Sequence, residues 1–90
     1  MKDVASRVHF QHMQAFLDQT RGQITLGEIP PIRRAVLAAA GKRVRVALLG
    51  REGEKIGQLL ERLDTALGTV MVDDSVIDEV LPEIKRRRSR

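Results

Sequence analysis

Two histidines and three scattered serines are the first residues of this 90-residue chain to consider for chemistry. The three-residue spacing of His9 and His12 could place both imidazoles on one metal ion. However, the chain has no cysteine, and no carboxylate completes a known ligand spacing. We therefore expect no metal site and interpret His9 as a packed core or interface histidine. Ser6, Ser75 and Ser89 stand in no nucleophile-elbow sequence. We expect no enzyme and no cofactor.

The segment LLGREGEKIGQL, residues 48–59, suggests a different chemistry, the binding of an anion. Gly50 and Gly53 stand three residues apart, just before a helical apolar pattern. If a strand ends here and a helix begins near Glu52, the loop lies at a helix N-terminus. Free N–H groups and the helix dipole favour an anion there. The alternative is a turn that uses glycine for its backbone freedom.

The same segment resembles the GxxG segment of the KH family of nucleic-acid-binding domains. The residues that carry the resemblance are Leu49, Gly50, Arg51, Glu52, Gly53, Glu54, Lys55 and Ile56. In that family the loop clamps the sugar-phosphate backbone of about four nucleotides. The resemblance implies a backbone clamp formed by Gly50, Arg51, Glu52 and Gly53, with Lys55 assisting.

Charge is segregated along the chain. Residues 1–50 contain eight basic and three acidic residues, residues 51–84 three and nine, and residues 85–90 five and none. The two oppositely charged parts of the body can pair with each other or with a neighbouring chain, while the basic end can meet a polyanion. We divide the chain into a single globular domain of residues 1–84 and a basic C-terminal tail of residues 85–90.

Basic side chains supply most of the predicted nucleic-acid contacts. The tail KRRRSR could neutralise phosphates without regard to sequence, or it could be a solvated terminus. A second set, within residues 33–45, could form a basic face or could pair with the acidic part of the chain. The predicted contacts are Arg33, Arg34, Lys42, Arg43, Arg45, Gly50, Arg51, Gly53, Lys55, Lys85, Arg86, Arg87, Arg88 and Arg90. If these lie on one side, DNA or RNA is the expected partner.

Apolar periodicity and turn residues predict the elements that must position these side chains. Helices are predicted over residues 2–19, over 31–40 behind Pro30-Pro31, over 52–67 ending at Gly68, and after a cap at Asp74 or Ser75, with a kink or restart at Pro82. Strands are predicted over residues 23–29, 42–49 and 69–72. In residues 42–49, Val44, Val46 and Leu48 are expected on one face, and Arg43, Arg45, Ala47 and Leu49 on the other.

The resulting order is α-β-α-β-α-β-α, which predicts a small single domain of the α/β or α+β class with a short sheet. The alternative is an all-α bundle in which residues 43–49 continue a helix. A chain of this length buries only a modest core, so its predicted apolar helix faces can exceed what that core covers. Apolar surface that stays exposed favours a homodimer or another protein partner.

Composition narrows the partner and the compartment. The chain has no tryptophan, no tyrosine and two phenylalanines, which argues against aromatic readers of single strands. The longest apolar run, Ala35 to Ala40, is far shorter than the ~20 residues that cross a bilayer, so no membrane association is expected. The missing cysteine fits the cytoplasm.

Two functions follow as hypotheses. The first is a small, basic, non-enzymatic nucleic-acid-binding protein with an accessory or regulatory role, contacting the phosphate backbone. The second is a protein–protein interaction module, such as an adaptor, an inhibitor or a toxin-antitoxin type regulator.

Overall fold

The computed structural model describes residues 10–29 and 32–88. The elements are α1 (Gln11–Thr20), β1 (Gln23–Ile29), β2 (Ile32–Ala40), β3 (Arg43–Leu49), α2 (Ile56–Asp73), β4 (Ile77–Asp78) and α3 (Val80–Arg88). The strands form one mixed sheet in the order β1-β2-β3-β4; β1–β2 and β2–β3 are antiparallel, and β3–β4 is parallel. The predicted α+β single domain is confirmed, and the all-α alternative is wrong.

The sheet is covered by helices on both faces. On one face, α1 and α2 pack against a core that includes Phe16, Val36, Val46, Leu59 and Leu63. On the other face, the short α3 buries Val80 against Ala35 and Ala47. The chain of the β2–β3 hairpin therefore contributes alternate residues to two cores, and the loop after β3 lies at the end of the sheet where α2 begins.

The helix predicted over residues 31–40 is wrong, because residues 32–40 form strand β2 (Pro31 lies outside the described residues). The segment contains four alanines and one leucine, which favour a helix, but β2 pairs with β1 on one side and with β3 on the other. Both of its faces are covered, so Ala35, Val36 and Ala38 are all buried. A strand buried on both faces loses the alternation that identifies strands in a sequence.

The strand predicted over residues 69–72 is also wrong, because α2 continues through Gly68 to Asp73. Val70 completes the buried stripe of Leu59, Leu63 and Leu67. Gly68 serves close packing instead of ending the helix: a Cβ built there would lie 2.9 Å from Nε2 of His12. The helix ends at Asp74, which takes a left-handed conformation with φ of 55°.

A register shift between Ala38 and Ala39 breaks the alternation predicted for residues 42–49. Ala38 pairs with Val46, while Ala39 pairs with Val44, so Arg45 is the extra residue of a β-bulge. Val44 consequently packs with Ala47 and Leu49 on the α3 side of the sheet, not with Val46. The strand itself was predicted correctly, as was the strand at residues 23–29.

The third helix begins later than predicted and is not broken by Pro82. Oδ1 of Asp78 accepts the N–H groups of Val80 and Leu81, both at 2.9 Å, and so caps the helix in place of Asp74 or Ser75. Pro82 then falls in the first turn, where its missing N–H has no helical partner to lose. Of the helix predicted over residues 2–19, the part before residue 10 lies outside the described residues.

Candidate nucleic-acid interface

A concave surface lies at the end of the sheet where α2 begins, and several of the predicted basic residues line it. We call it the arginine groove. Arg33 and Arg34 come from the start of β2, and Arg87 comes from the last turn of α3. Arg51 comes from the loop of residues 50–55 between β3 and α2, which we call the glycine loop. The groove has a volume of about 760 Å³ and is also lined by Glu28, Glu52, Glu83, Leu49, Gly50 and Gly53. Basic residues from three parts of the chain thus share one surface, although carboxylates lie among them.

The glycine loop supports this groove mainly through packing. A Cβ on Gly50 would lie 3.0 Å from Cγ and Cδ of Arg34, so the missing side chain makes room for the arginine stem. Nη1 of Arg34 in turn donates to the carbonyl oxygen of Glu54 at 3.2 Å. Gly53 has φ of 79°, a left-handed turn conformation that favours glycine. Both glycines therefore have a local structural reason.

Most N–H groups of the loop already have partners within the chain. Gly50 donates to the carbonyl of Arg34 at 2.9 Å and Glu54 to that of Arg51 at 2.9 Å. Arg51 donates to the Glu54 carboxylate at 3.0 Å, and Lys55 to Oε1 of Gln58 at 2.8 Å. In addition, strand β3 precedes the loop, whereas the KH family has a helix there. Side chains, more than loop amides, are available for phosphate.

The anion held by this loop is its own Glu54. Arg62 of α2 donates through Nε to Oε2 of Glu54 at 2.7 Å and through Nη2 to Oε1 at 2.9 Å. These hydrogen bonds lower the pKa of Glu54 to about 2 and raise that of Arg62. Glu54 exposes only 9% of its side chain and Arg62 22%. The pair fastens the loop to α2.

Arg62 also closes the edge of β3 beyond β4. Its Nη2 donates to the carbonyl of Leu49 at 2.7 Å, while the N–H of Leu49 donates to the Glu79 carboxylate at 2.9 Å. Arg62 and Glu79 lie 3.9 Å apart as an ion pair. Two side chains thus occupy the hydrogen-bonding groups that a neighbouring strand would use. Sequence reasoning missed this network; the only signal was an acidic and a basic residue flanking the start of α2.

Arg45, predicted as a phosphate contact, is instead part of the fold. Its Nη2 donates to the carbonyl oxygens of Val70 and Ser75, both at 3.1 Å, and to Oδ1 of Asp74 at 3.3 Å. These groups lie at the C-terminus of α2, where carbonyls lack helical partners and the dipole favours a cation. Only 14% of its side chain is exposed. The bulge in β3 is what turns Arg45 toward α2.

Three other residues predicted to contact nucleic acid lie outside the arginine groove, at two different positions. Lys42 and Arg43 are exposed at the β2–β3 hairpin, on the order of 20 Å along the strands from Arg33. Lys55 is exposed at the start of α2, outside the lining of the arginine groove. The predicted basic face over residues 33–45 is therefore not one surface in the structure.

Residues 85–88 form the last turn of α3, so the boundary set after residue 84 falls inside a helix. Arg86 donates to Glu83 at 2.6 Å, and Arg87 donates to it at 2.7 Å. These bonds lower the pKa of Glu83 and raise that of Arg86. Lys85 and Arg88 are exposed, and Arg90 lies outside the described residues.

A second groove lies on the other side of the glycine loop, between α2 and β4. We call it the acid-rimmed groove; it has a volume of about 830 Å³. Its apolar lining is Leu48, Ala66 and Ile77. Its charged lining has a net charge of −2, from four glutamates and two arginines: Glu52, Glu54, Glu61, Glu79, Arg51 and Arg62. The two grooves therefore differ in both charge and polarity.

Within residues 10–29 and 32–88, no group of three or more histidine, cysteine, aspartate or glutamate side chains could hold a metal ion. His12 packs against Gly68, and His9 lies outside those residues. In the same part of the chain, no helix combines the length and the apolar character needed to cross a bilayer. Comparison with known proteins finds no matching family model, no matching curated protein and no matching solved structure.

Proposed function

We propose that this chain is a small non-enzymatic nucleic-acid-binding protein, with an accessory or regulatory role in the cytoplasm, that contacts phosphate backbone through the arginine groove. The observation that carries the proposal is the convergence of Arg33, Arg34, Arg51 and Arg87 on one concave surface. Guanidinium groups bind phosphate oxygens through two parallel N–H bonds, which a lysine cannot do.

The charge balance in the groove supports a polyanion as ligand. Arg34 donates to a neutral carbonyl and not to a carboxylate, while Glu83 is shared by Arg86 and Arg87. No ion pair of Arg33 or Arg51 occurs among the residues that the structure describes. The lining of the groove holds four arginines and three glutamates, a net charge of +1. This modest excess suits several weak phosphate contacts better than tight capture of one small anion.

Recognition by this surface should depend on the backbone and not on the bases. Of the two phenylalanines, Phe16 is buried with 1% exposure, so it offers no stacking surface. Phosphate contacts carry no sequence information, and each one contributes about −0.9 to the salt slope of log K on duplex DNA. Binding that involves three or four phosphates should therefore have a slope of roughly −3.

Fluorescence anisotropy with labelled duplex and single-stranded oligonucleotides, of DNA and of RNA, tests the proposal at low and at physiological salt. The double variant Arg33→Ala, Arg51→Ala should bind more weakly, and its salt slope should be smaller by about two. The matched control is Lys42→Ala with Arg43→Ala, which removes the same charge from the exposed hairpin end.

Two results would contradict the proposal. One is the absence of binding to all four probes at low salt. The other is an equal loss of affinity in the groove variant and in the hairpin variant, since that would trace any binding to overall charge and not to the groove.

A protein–protein interaction module is the second candidate function, and the acid-rimmed groove favours it. An apolar lining with carboxylates around it is suited to an amphipathic basic segment and not to nucleic acid.

A further inference from the structure

The outward face of α3 and the acid-rimmed groove are complementary in charge and in polarity. Leu81, Lys85 and Arg88 are spaced four and three residues apart, which places them on one face of the helix. Leu81 is 49% exposed, and Lys85 and Arg88 are exposed as well. The face therefore presents one large apolar side chain followed by two cations.

The acid-rimmed groove presents the matching features. Leu48, Ala66 and Ile77 supply an apolar surface, and the exposed Glu61 on α2 supplies a carboxylate for which no ion pair occurs among the described residues. Glu52 adds a second exposed carboxylate at the loop. Glu54, in contrast, is already held by Arg62. The free acidic charge thus lies around the apolar lining.

The α3 face cannot reach the groove of its own chain. Val80 anchors α3 to the face of the sheet opposite α1 and α2, and Ile84 packs beside it. The acid-rimmed groove lies along α2 on the other face. The cations of α3 and the carboxylates of the groove are therefore held apart within one chain, and only another chain can bring them together.

We propose that two copies of this chain associate by exchange, with Leu81, Lys85 and Arg88 of each copy seated in the acid-rimmed groove of the other. A two-fold arrangement fills both grooves at once and closes the assembly at two chains. Leu81 contacts the apolar lining, and Lys85 and Arg88 lie near Glu61 and Glu52. Arg33 does not line this groove, and the test below leaves both Arg33 and Arg51 unchanged, so association can be measured separately from nucleic-acid binding.

The proposed exchange can be tested by reversing the charge of one residue on each side of the contact, singly and then together. The molar mass of each variant is measured by light scattering after nuclease treatment. At micromolar concentration and low salt, the mass should be twice the chain mass of 10.1 kDa. It should fall toward one chain at high salt, because exposed ion pairs are screened. Lys85→Glu alone and Glu61→Lys alone should each weaken association at least tenfold, and the two together should restore most of it.

Two controls separate the contact from folding and from total charge. Lys42→Glu changes the net charge as Lys85→Glu does but lies at the β2–β3 hairpin, and it should leave association unchanged. Leu81→Asn tests the apolar part without a change of charge and should weaken association. Circular dichroism and thermal unfolding of each variant check that it folds.

Four results would overturn the proposal. They are a mass of one chain at all concentrations at low salt, a mass that keeps rising beyond two chains, a dimer that neither single reversal weakens, and a double reversal that fails to restore association.

Discussion

Two groups of arginines in this small domain differ in what surrounds them. Arg45 and Arg62 have largely buried side chains and donate to backbone carbonyls as well as to carboxylates. Arg33 and Arg51 are exposed and line an open groove. An arginine placed beside the unpaired carbonyls of a helix end or a strand edge becomes part of the fold. An arginine that lies beyond those carbonyls, such as Arg33 or Arg51, stays available to a ligand.

Removing Arg62 should have the largest effect on stability. Arg62→Met keeps the length of the stem but leaves Glu54 buried without its partner and the carbonyl of Leu49 without a donor. We expect a loss of about 3 kcal/mol in the free energy of unfolding, at the low end for a buried pair because Arg62 is partly exposed. Urea unfolding at neutral pH measures it.

Arg51→Met is the matched control for that variant, because Arg51 belongs to the exposed group. Its effect should stay within about 0.5 kcal/mol, as for an ordinary surface substitution. If Arg62→Met is equally mild, the distinction between the two groups of arginines fails.

Arg45→Met should have the next largest effect. Two carbonyls at the end of α2 and the helix dipole would lose their cation, for a cost of about 2 kcal/mol. Arg43→Met, two residues earlier in the same strand and exposed, should change stability by less than about 0.5 kcal/mol. In urea unfolding, the midpoint should shift for Arg45→Met, with an unchanged dependence of the free energy of unfolding on urea concentration. A similar shift for Arg43→Met would show that Arg45 contributes no more to stability than an exposed arginine of the same strand.

The smallest expected effect is a pH dependence that originates at Glu54. Its pKa in the folded chain, about 2, lies below the ordinary value of 4.5. The unfolded chain therefore takes up the proton first on acidification. The stabilisation is complete above about pH 5 and is lost as the pH falls toward 2. A shift of this size corresponds to about 3 kcal/mol without screening; at the margin of an open groove we expect 1 to 2 kcal/mol, roughly.

Urea titrations between neutral pH and pH 2 measure this loss of stability. Glu54→Gln should flatten the curve in that window, whereas Glu52→Gln, an exposed neighbour, should follow the wild-type curve. If the free energy of unfolding of the wild type and of Glu54→Gln depended on pH in the same way, folding would not lower the pKa of Glu54, and this prediction would be wrong.

Local patterns in the sequence were sufficient where one face of an element is exposed. The stripe Leu59, Leu63 and Leu67 predicted α2, and the alternation in residues 23–29 predicted β1. They failed where tertiary contacts decide: β2 is a strand because it has neighbours on both sides, and Gly68 lies within α2 because His12 packs against it. No local pattern contains that information.

The candidate site was predictable only in part, for the same reason. Arg33, Arg34, Arg51 and Arg87 were all among the predicted contacts, but the sequence alone did not separate them from Arg45. That separation depends on a bulge one residue long, because the bulge decides which face of the sheet a side chain occupies.

The pairing of Leu49 with Glu79 and Arg62 has a consequence for how the sheet can grow. An incoming extended peptide would have to displace a carboxylate and a guanidinium before it could reach the outer rim of β3. These two charged side chains therefore block edge-to-edge strand pairing, the contact that builds fibrils, at this edge of β3. A chain without Arg62 would therefore be not only less stable but also more prone to polymerise, and its insoluble fraction on storage should rise accordingly.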